Sequence, residues 1–261
     1  MFDFLDRTIG NLIKTAHTGN GADGGGTGQV TFPIYLINLP RSEERRRFAL
    51  GQLAQIGSVP VMVDAVDGRQ LNLDRLIEEG IYSPDKANEA FSRQLSMGEI
   101  GCSLSHYNIY RKIVERKDPV ALILEDDMLF RPGFTKKLLA AYRQLPEGWG
   151  ILHLNCPCTR YERAGESIVK YDGVGSLPLG SSAYLISRRG AELMLENSLP
   201  IRYPADSLVG RGLRWGVDTY GVLSPITSIN NIFPSQIQTP IGISGRIKVG
   251  VKQALVRVLF R

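Results

Sequence analysis

Val120-Ala121-Leu122-Ile123-Leu124-Glu125-Asp126-Asp127 runs from five apolar residues straight into three carboxylates. A wholly apolar run of this length is what a central strand needs when both faces of a parallel sheet are covered. The carboxylates repel one another and are costly to bury unpaired. Upstream, Ile34 to Leu39 is a second apolar run rich in β-branched and aromatic residues. Pro40-Arg41-Ser42 then turns the chain, Ser42 is placed to cap a helix, and that helix stops at Gly57. Val59 to Ala65 reads as another strand, Leu71 to Glu79 as a short helix, and Glu99 to Lys117 as a longer one. Downstream, a helix is expected over 135–144, strands over 150–154 and 183–187, and a helix over 188–197. Strands alternating with helices predict an α/β domain, a largely parallel sheet with helices on both faces. Such sheets bind ligands at the carboxyl ends of their strands.

The 261 residues divide by composition. Residues 1–17 place Phe2, Leu5, Ile9, Leu12 and Ile13 at helical spacing. Residues 18–31 are a glycine-rich linker, and not a phosphate loop, which needs a strand before it and a helix after. The compact body is expected over 32–244. The formal charge is +5 and the pI near 9.1. All of that excess sits in 245–261, where Arg246, Lys248, Lys252, Arg257 and Arg261 meet no acid. Interleaved apolar residues give this tail two readings: a basic amphipathic anchor for an anionic membrane surface, or a helix docked on the body. The body lacks the basic and aromatic stripe of a nucleic-acid binder. No stretch is apolar enough to cross a membrane, and residues 1–20 do not read as a signal peptide. Three cysteines are too few for a disulfide scaffold, so a cytoplasmic location is expected, with peripheral attachment to the membrane as an option. Cys156-Pro157-Cys158 has no second ligand pair at zinc spacing.

Each strand end offers a bland and a chemical reading. Glu125-Asp126-Asp127 is either a solvated turn or a set of hard oxygen ligands for Mg²⁺ or Mn²⁺. Asn38, Arg41 and Arg45-Arg46-Arg47 are either a charged helix face or nucleotide contacts. Asp64 to Gly68 is a turn whose carboxylates could also meet a ribose. Gly98 and Gly101 fall within one turn of a helix, at roughly 1 kcal/mol each relative to Ala, and so imply close approach of a backbone or ligand. His106 lies in the same segment, and alone it reads as a hydrogen-bonded core residue.

Taken in order, Ile37-Asn38-Leu39-Pro40-Arg41, Asp64-Ala65-Val66-Asp67-Gly68, Gly98-Glu99-Ile100-Gly101-Cys102-Ser103-Leu104-Ser105-His106, Leu122 to Asp127, and Gly180 to Ala191 resemble glycosyltransferase family 25. This is a lipopolysaccharide-biosynthesis galactosyltransferase group related to collagen galactosyltransferases. The resemblance runs from about Phe32 to Gln236. It implies a GT-A-like (Rossmann-like) fold, a UDP-sugar donor, usually UDP-galactose, a divalent metal (Mn²⁺ or Mg²⁺), and inversion onto a saccharide or glycolipid acceptor. Asp127 is then the first choice of metal ligand, and Glu125 contacts metal or ribose. Asn38, Arg41, Ala65 and Asp67 face the nucleoside, and Glu99 and Asp126 complete the donor set. Asp206 is the candidate base for the acceptor hydroxyl, with a helix N-cap as its other reading. Asp218 is the second candidate, with a surface loop as its alternative. GT-A enzymes often add a late His as metal ligand, and none follows His153 here. The alternative function is a catalytically inactive nucleotide-sugar-binding partner in glycan assembly.

Overall fold

A computed structural model describes residues 30–155, 160–172, 178–235 and 237. The N-terminal helix, nearly all of the glycine linker, the Cys-Pro-Cys segment and the basic tail lie outside the described residues. The elements are β1 (Ile34–Asn38), α1 (Glu43–Gln55), β2 (Val61–Asp64), α2 (Leu73–Glu78), α3 (Pro84–Phe91), α4 (Met97–Arg116), β3 (Val120–Glu125), β4 (Met128–Phe130) and α5 (Phe134–Tyr142). They continue with β5 (Ile151–His153), β6 (Glu162–Arg163), β7 (Ile168–Lys170), β8 (Ala183–Ser187), α6 (Arg188–Ser198), α7 (Ala205–Gly210), β9 (Thr219–Val222) and β10 (Thr227–Ile229).

One sheet has the order β2-β1-β3-β8-β5-β9-β7-β6, and β10 pairs with β4 in a small second sheet. β2, β1, β3, β5, β9 and β6 run in one direction; β8 and β7 run against them. The sheet is thus mostly parallel in direction, with β8 inserted antiparallel between β3 and β5.

Both faces of the central strands are buried, which explains their unbroken apolar sequence. Leu36, Leu122, Leu124, Leu152 and Leu185 face one core with Ala49, Leu53, Leu138 and Ala141 of α1 and α5. Tyr35, Ile37, Ile123, Tyr184 and Ile186 face the other with Ile109, Tyr110 and Ile113 of α4 and Ala191 and Met194 of α6.

The long helix α4 starts at a capping box, in which Ser96 Oγ accepts from the Glu99 N–H and Glu99 accepts from the Ser96 N–H. Its glycines serve backbone approach. A Cβ on Gly101 would stand 2.5 Å from the Val66 carbonyl oxygen, and one on Gly98 would stand 2.5 Å from that of Ile237. The helix therefore lies directly on the 66–68 turn that follows β2. Among the described residues, no helix is long and apolar enough to cross a membrane.

Candidate active site

The crevice opens where β2, β1 and β3 end together, with Asn38 level with Asp64 and Ile37 level with Glu125. The three carboxylates that leave β3 have different surroundings. Glu125 accepts from Ser181 Oγ at 2.6 Å and from His106 Nε2 at 3.2 Å. With that proton on Nε2, the His106 Nδ1 accepts from the Tyr184 hydroxyl at 2.8 Å, and Tyr184 is bonded in turn to Tyr110. Burial alone would raise the Glu125 carboxyl, but the His106 and Ser181 bonds and the charge of Arg45 outweigh it, holding it below its usual value. Asp126 is buried and accepts from Asn38 Nδ2 and Arg45 Nε, each at 2.7 Å. Asp127 accepts from Arg45 Nη2 at 2.8 Å through one oxygen only. Its buried Oδ1 has no hydrogen-bond partner among the described residues. Burial, then the neighbouring charges of Glu125 and Asp126, push its pKa up to about 6 despite Arg45.

Asn38 sits at the end of β1 and is spent inside this network: its Oδ1 accepts from Arg46 and its amide donates to Asp126. The Arg45-Arg46-Arg47 run is therefore not simply a charged face, because two of its three members turn in to the strand ends. The sequence offered Arg45 as a nucleotide contact or part of a charged helix face, and did not foresee its pairing with Asp126 and Asp127. The clue was the run itself, but its acidic partners stand some 80 positions on.

After β2, Asp67 caps a short 3₁₀ turn and accepts from Arg69 and Arg41 at 2.7 and 3.1 Å. The Arg69 bond, ahead of Arg41, holds its carboxyl far below the carboxylate range. Ala65 donates its N–H to the Asn38 carbonyl, tying β2 to β1 at the crevice floor. Glu99 stands apart from this group: Arg93 grips both its oxygens and Ser96 donates to one, so its carboxylate anchors the start of α4.

Asp206 is exposed in the first turn of α7, where Pro204 and not Asp206 is the N-cap. The N-cap reading is corrected in that detail: Asp206 Oδ1 accepts from the next N–H, Ser207, at 2.6 Å. The Cys102 thiol is surrounded by the charges of Glu125, Asp206, Asp127 and Asp126, after burial the main causes of its strongly raised pKa. The Asp206 carbonyl accepts from the Gly180 N–H, one residue before the Ser181 that donates to Glu125, so Asp206 stands near the β3 carboxylates. Asp218 does not. It precedes β9, whose first residue Thr219 pairs with Ile151, Ile151 with Ile186, and Ile186 with Ala121. Asp218 is therefore level with the amino end of β3, more than ~10 Å along the strands from Glu125. It is ion-paired to Lys170 at 2.9 Å, apart from the carboxylates at the end of β3.

Cys102 and His106, and the segment after β10, carried no site assignment in the sequence. Cys102 Sγ, a His106 ring nitrogen and a Glu125 oxygen lie within 4.8 Å of one another, a possible metal-binding triad. Its sulfur and nitrogen suit zinc better than Mg²⁺ or Mn²⁺. In the segment after β10, Asn230 donates to the Asp127 carbonyl, Phe233 lies under the Arg45 guanidinium, and Pro234 accepts from Arg45. The protein is of the open α/β class, and its carboxylate cluster stands at the carboxyl ends of the strands, where such sheets bind their ligands.

Residues 31–209 match the family model described as "Glycosyltransferase family 25 (LPS biosynthesis protein)". The chain belongs to glycosyltransferase family 25. It is 34% identical over 170 residues to a "Glycosyltransferase 25 family member" of Aedes aegypti, covering 62% of this chain and 28% of that protein. It is 33% identical over 174 residues to "Procollagen galactosyltransferase 1-A" of Xenopus laevis, covering 64% and 28%. The chain thus spans less than a third of these curated relatives. Among solved structures, one described as a mannose-1-phosphate geranyltransferase from Thermus thermophilus aligns over 76% of this chain and 75% of that one, with 12% identity and a TM-score of 0.41.

Proposed function

We propose that this protein transfers a hexose, galactose, from a UDP-sugar to a saccharide acceptor of the lipopolysaccharide type, with inversion and metal assistance. The observation that carries this reading is the buried, unpartnered Oδ1 of Asp127 beside two further carboxylates at the end of β3. A hard oxygen with excess negative charge around it fits Mn²⁺ or Mg²⁺. Asp127 would hold the ion and Glu125 would flank it. Asp126 is saturated by Asn38 and Arg45 and serves instead to hold Arg45 in place. A divalent cation bound there supplies positive charge to the leaving diphosphate.

The remaining roles belong to the chain itself. As the bond from the anomeric carbon to the diphosphate breaks, negative charge grows on the phosphate oxygens. Arg45, fixed at the crevice floor, adds a preorganised cation. Asp67 and Arg41 line the nucleoside side, and the 66–68 turn is pinned under α4. Direct displacement needs a base for the acceptor hydroxyl, and exposed Asp206 offers an ionisable carboxylate on the acceptor side. The relatives named galactosyltransferases support galactose as the sugar. The basic tail supports a peripheral place on an anionic membrane, where a glycolipid acceptor would stand.

The test is a donor and acceptor screen by mass spectrometry, with UDP titrated calorimetrically with and without Mn²⁺. Transfer from UDP-galactose, and Mn²⁺-dependent UDP binding lost in Asp127→Ala, are expected. Metal-dependent binding that survives Asp127→Ala overturns the metal assignment, and UDP binding without turnover on any acceptor favours the inactive partner.

A further inference from the structure

Donor binding leaves the corner beside Asp206 unexplained. Tyr203 precedes Asp206 by three residues, and its carbonyl accepts from Ser103 of α4 at 2.9 Å, which fixes it to the helix that carries Cys102 and His106. Its ring meets Phe91, the last residue of α3, edge-on at 6.0 Å, and Trp215 at 6.1 Å. Two guanidinium groups lie on it: Arg211 at 4.5 Å and Arg202 at 5.1 Å from the ring centroid. Arg211 also reaches Phe91, and Arg202 reaches Trp215.

These two arginines differ from the others around the crevice. Arg41, Arg45, Arg69 and Arg93 are each paired with a carboxylate. Among the described residues, Arg202 donates to the carbonyls of Pro200 and Asn197. Arg211 donates from Nε to Ser207 Oγ at 3.2 Å. Neither meets an acid among the described residues. Arg211 is half-buried, and burial, with Arg214 nearby, lowers its pKa from the ordinary value despite Tyr203. Leaving a half-buried guanidinium without an anion has a cost. Cation–π contact recovers a part of it, and among the described residues no acceptor is bonded to the two terminal nitrogens of Arg211.

Aromatic faces stack on the apolar faces of sugars, and the arginine fork matches the two oxygens of a carboxylate or phosphate. We propose that Tyr203, Arg211 and Arg202 form an acceptor subsite for an acidic saccharide, one whose sugar carries a carboxylate or a phosphate. The sugar lies beside this aromatic corner, within reach of Trp215, and Arg211 takes its anion. This deepens the glycosyltransferase reading and rests on it, because Asp206 marks this side as the acceptor side.

The test follows the Trp215 indole N–H by NMR in the full chain saturated with UDP. Three oligosaccharide probes differ only at the terminal sugar: a glucuronide, a glucose 6-phosphate and the neutral glucoside. Both acidic probes, or one of them, should shift the Trp215 signal with at least tenfold higher affinity than the neutral one, and the better probe tells carboxylate from phosphate. Arg211→Gln should abolish that tenfold difference with UDP affinity unchanged, and Arg211→Lys should keep part of it. Arg202→Gln should reduce it several-fold, and it serves as the second variant should Arg211→Gln fail to fold. Equal affinity for acidic and neutral probes, no shift with any probe, or an undiminished difference in these variants overturns the proposal. UDP affinity is read in the same samples. Its absence brings down the donor reading whatever Trp215 does, whereas UDP binding with no preference for acid brings down only the subsite.

Discussion

Arg45 decides how the acidic run behaves. Its side chain is 11% exposed and bridges Asp126, 9% exposed, and Asp127, 20% exposed. Removing one partner of such a buried pair leaves an uncompensated charge, worth about 3–5 kcal/mol. Arg45→Ala should therefore destabilise the protein by about that much in urea unfolding. Adding Asp126→Asn to Arg45→Ala should recover part of the loss, because the penalty belongs to the stranded carboxylate. His153 makes a second case at this scale. It is fully buried at the end of β5, and burial pushes its pKa down to about 4 from 6.5. The unfolded chain takes up a proton on His153 below pH 6.5 that the folded protein refuses until about pH 4. Stability from the neutral ring is therefore full above pH 6.5 and is lost as pH falls toward 4, by up to ~3 kcal/mol. Urea midpoints at pH 7 and pH 4 should converge more closely in His153→Gln than in the parent; an equal fall in both would remove His153 as the acid-sensitive group. That three carboxylates leave β3 at its carboxyl end was legible in the sequence, but how each is bonded was not. Which carboxylate is saturated and which keeps a bare oxygen depends on Arg45 and Asn38, brought in by the sheet from far upstream.

Elements were readable where one physical cause sets the pattern. β1, β3 and β8 are buried on both faces, and their unbroken apolar runs announce it. β9 is equally buried, but Thr219-Tyr220-Gly221-Val222 carries a glycine, because a side chain at Gly221 would collide with the Tyr171 ring. That tertiary constraint removes the local strand signal. β6 and β7 are two and three residues long and lie at the sheet edge, too short to show alternation. α3 was missed although Ser83-Pro84 is a sound helix start, since Ser83 accepts from the Lys86 N–H. The paired glycines of α4 were read correctly as sites of close approach, and the structure names the backbone they admit. This leads to a contrast between two helical glycines. Gly101→Ala puts a Cβ against the Val66 carbonyl and must push α4 off the 66–68 turn. It should cost about 1–3 kcal/mol and weaken UDP binding, because that turn holds Asp67. Gly51→Ala, on the exposed face of α1 with nothing within 4 Å, should stabilise by up to about 1 kcal/mol and leave UDP affinity alone. Thermal unfolding and UDP titration of the two variants separate a packing glycine from a merely permissive one.

At the scale of the molecule, charge is distributed in a way that sequence alone displays. The five cations of 245–261 equal the whole formal excess of +5 and no acid accompanies them, so the other residues are neutral in sum. A neutral body has little reason to approach an anionic bilayer by itself. Five cations near such a surface contribute on the order of 1 kcal/mol each, and the intervening Ile247, Val249, Leu255, Val258, Leu259 and Phe260 offer apolar area to the headgroup boundary. The two contributions respond differently to salt, since only the first is screened beyond a Debye length of roughly 10 Å at 0.1 M. The full chain should therefore sediment with vesicles containing phosphatidylserine or phosphatidylglycerol, and less so as salt rises to half-molar. It should stay in the supernatant with vesicles of phosphatidylcholine alone. Deleting 245–261 should abolish sedimentation with the anionic vesicles while leaving UDP affinity unchanged. A deletion that sediments as before would return the tail to its other reading, a helix docked on the body. A deletion that loses UDP affinity as well would mean that the tail completes the donor site.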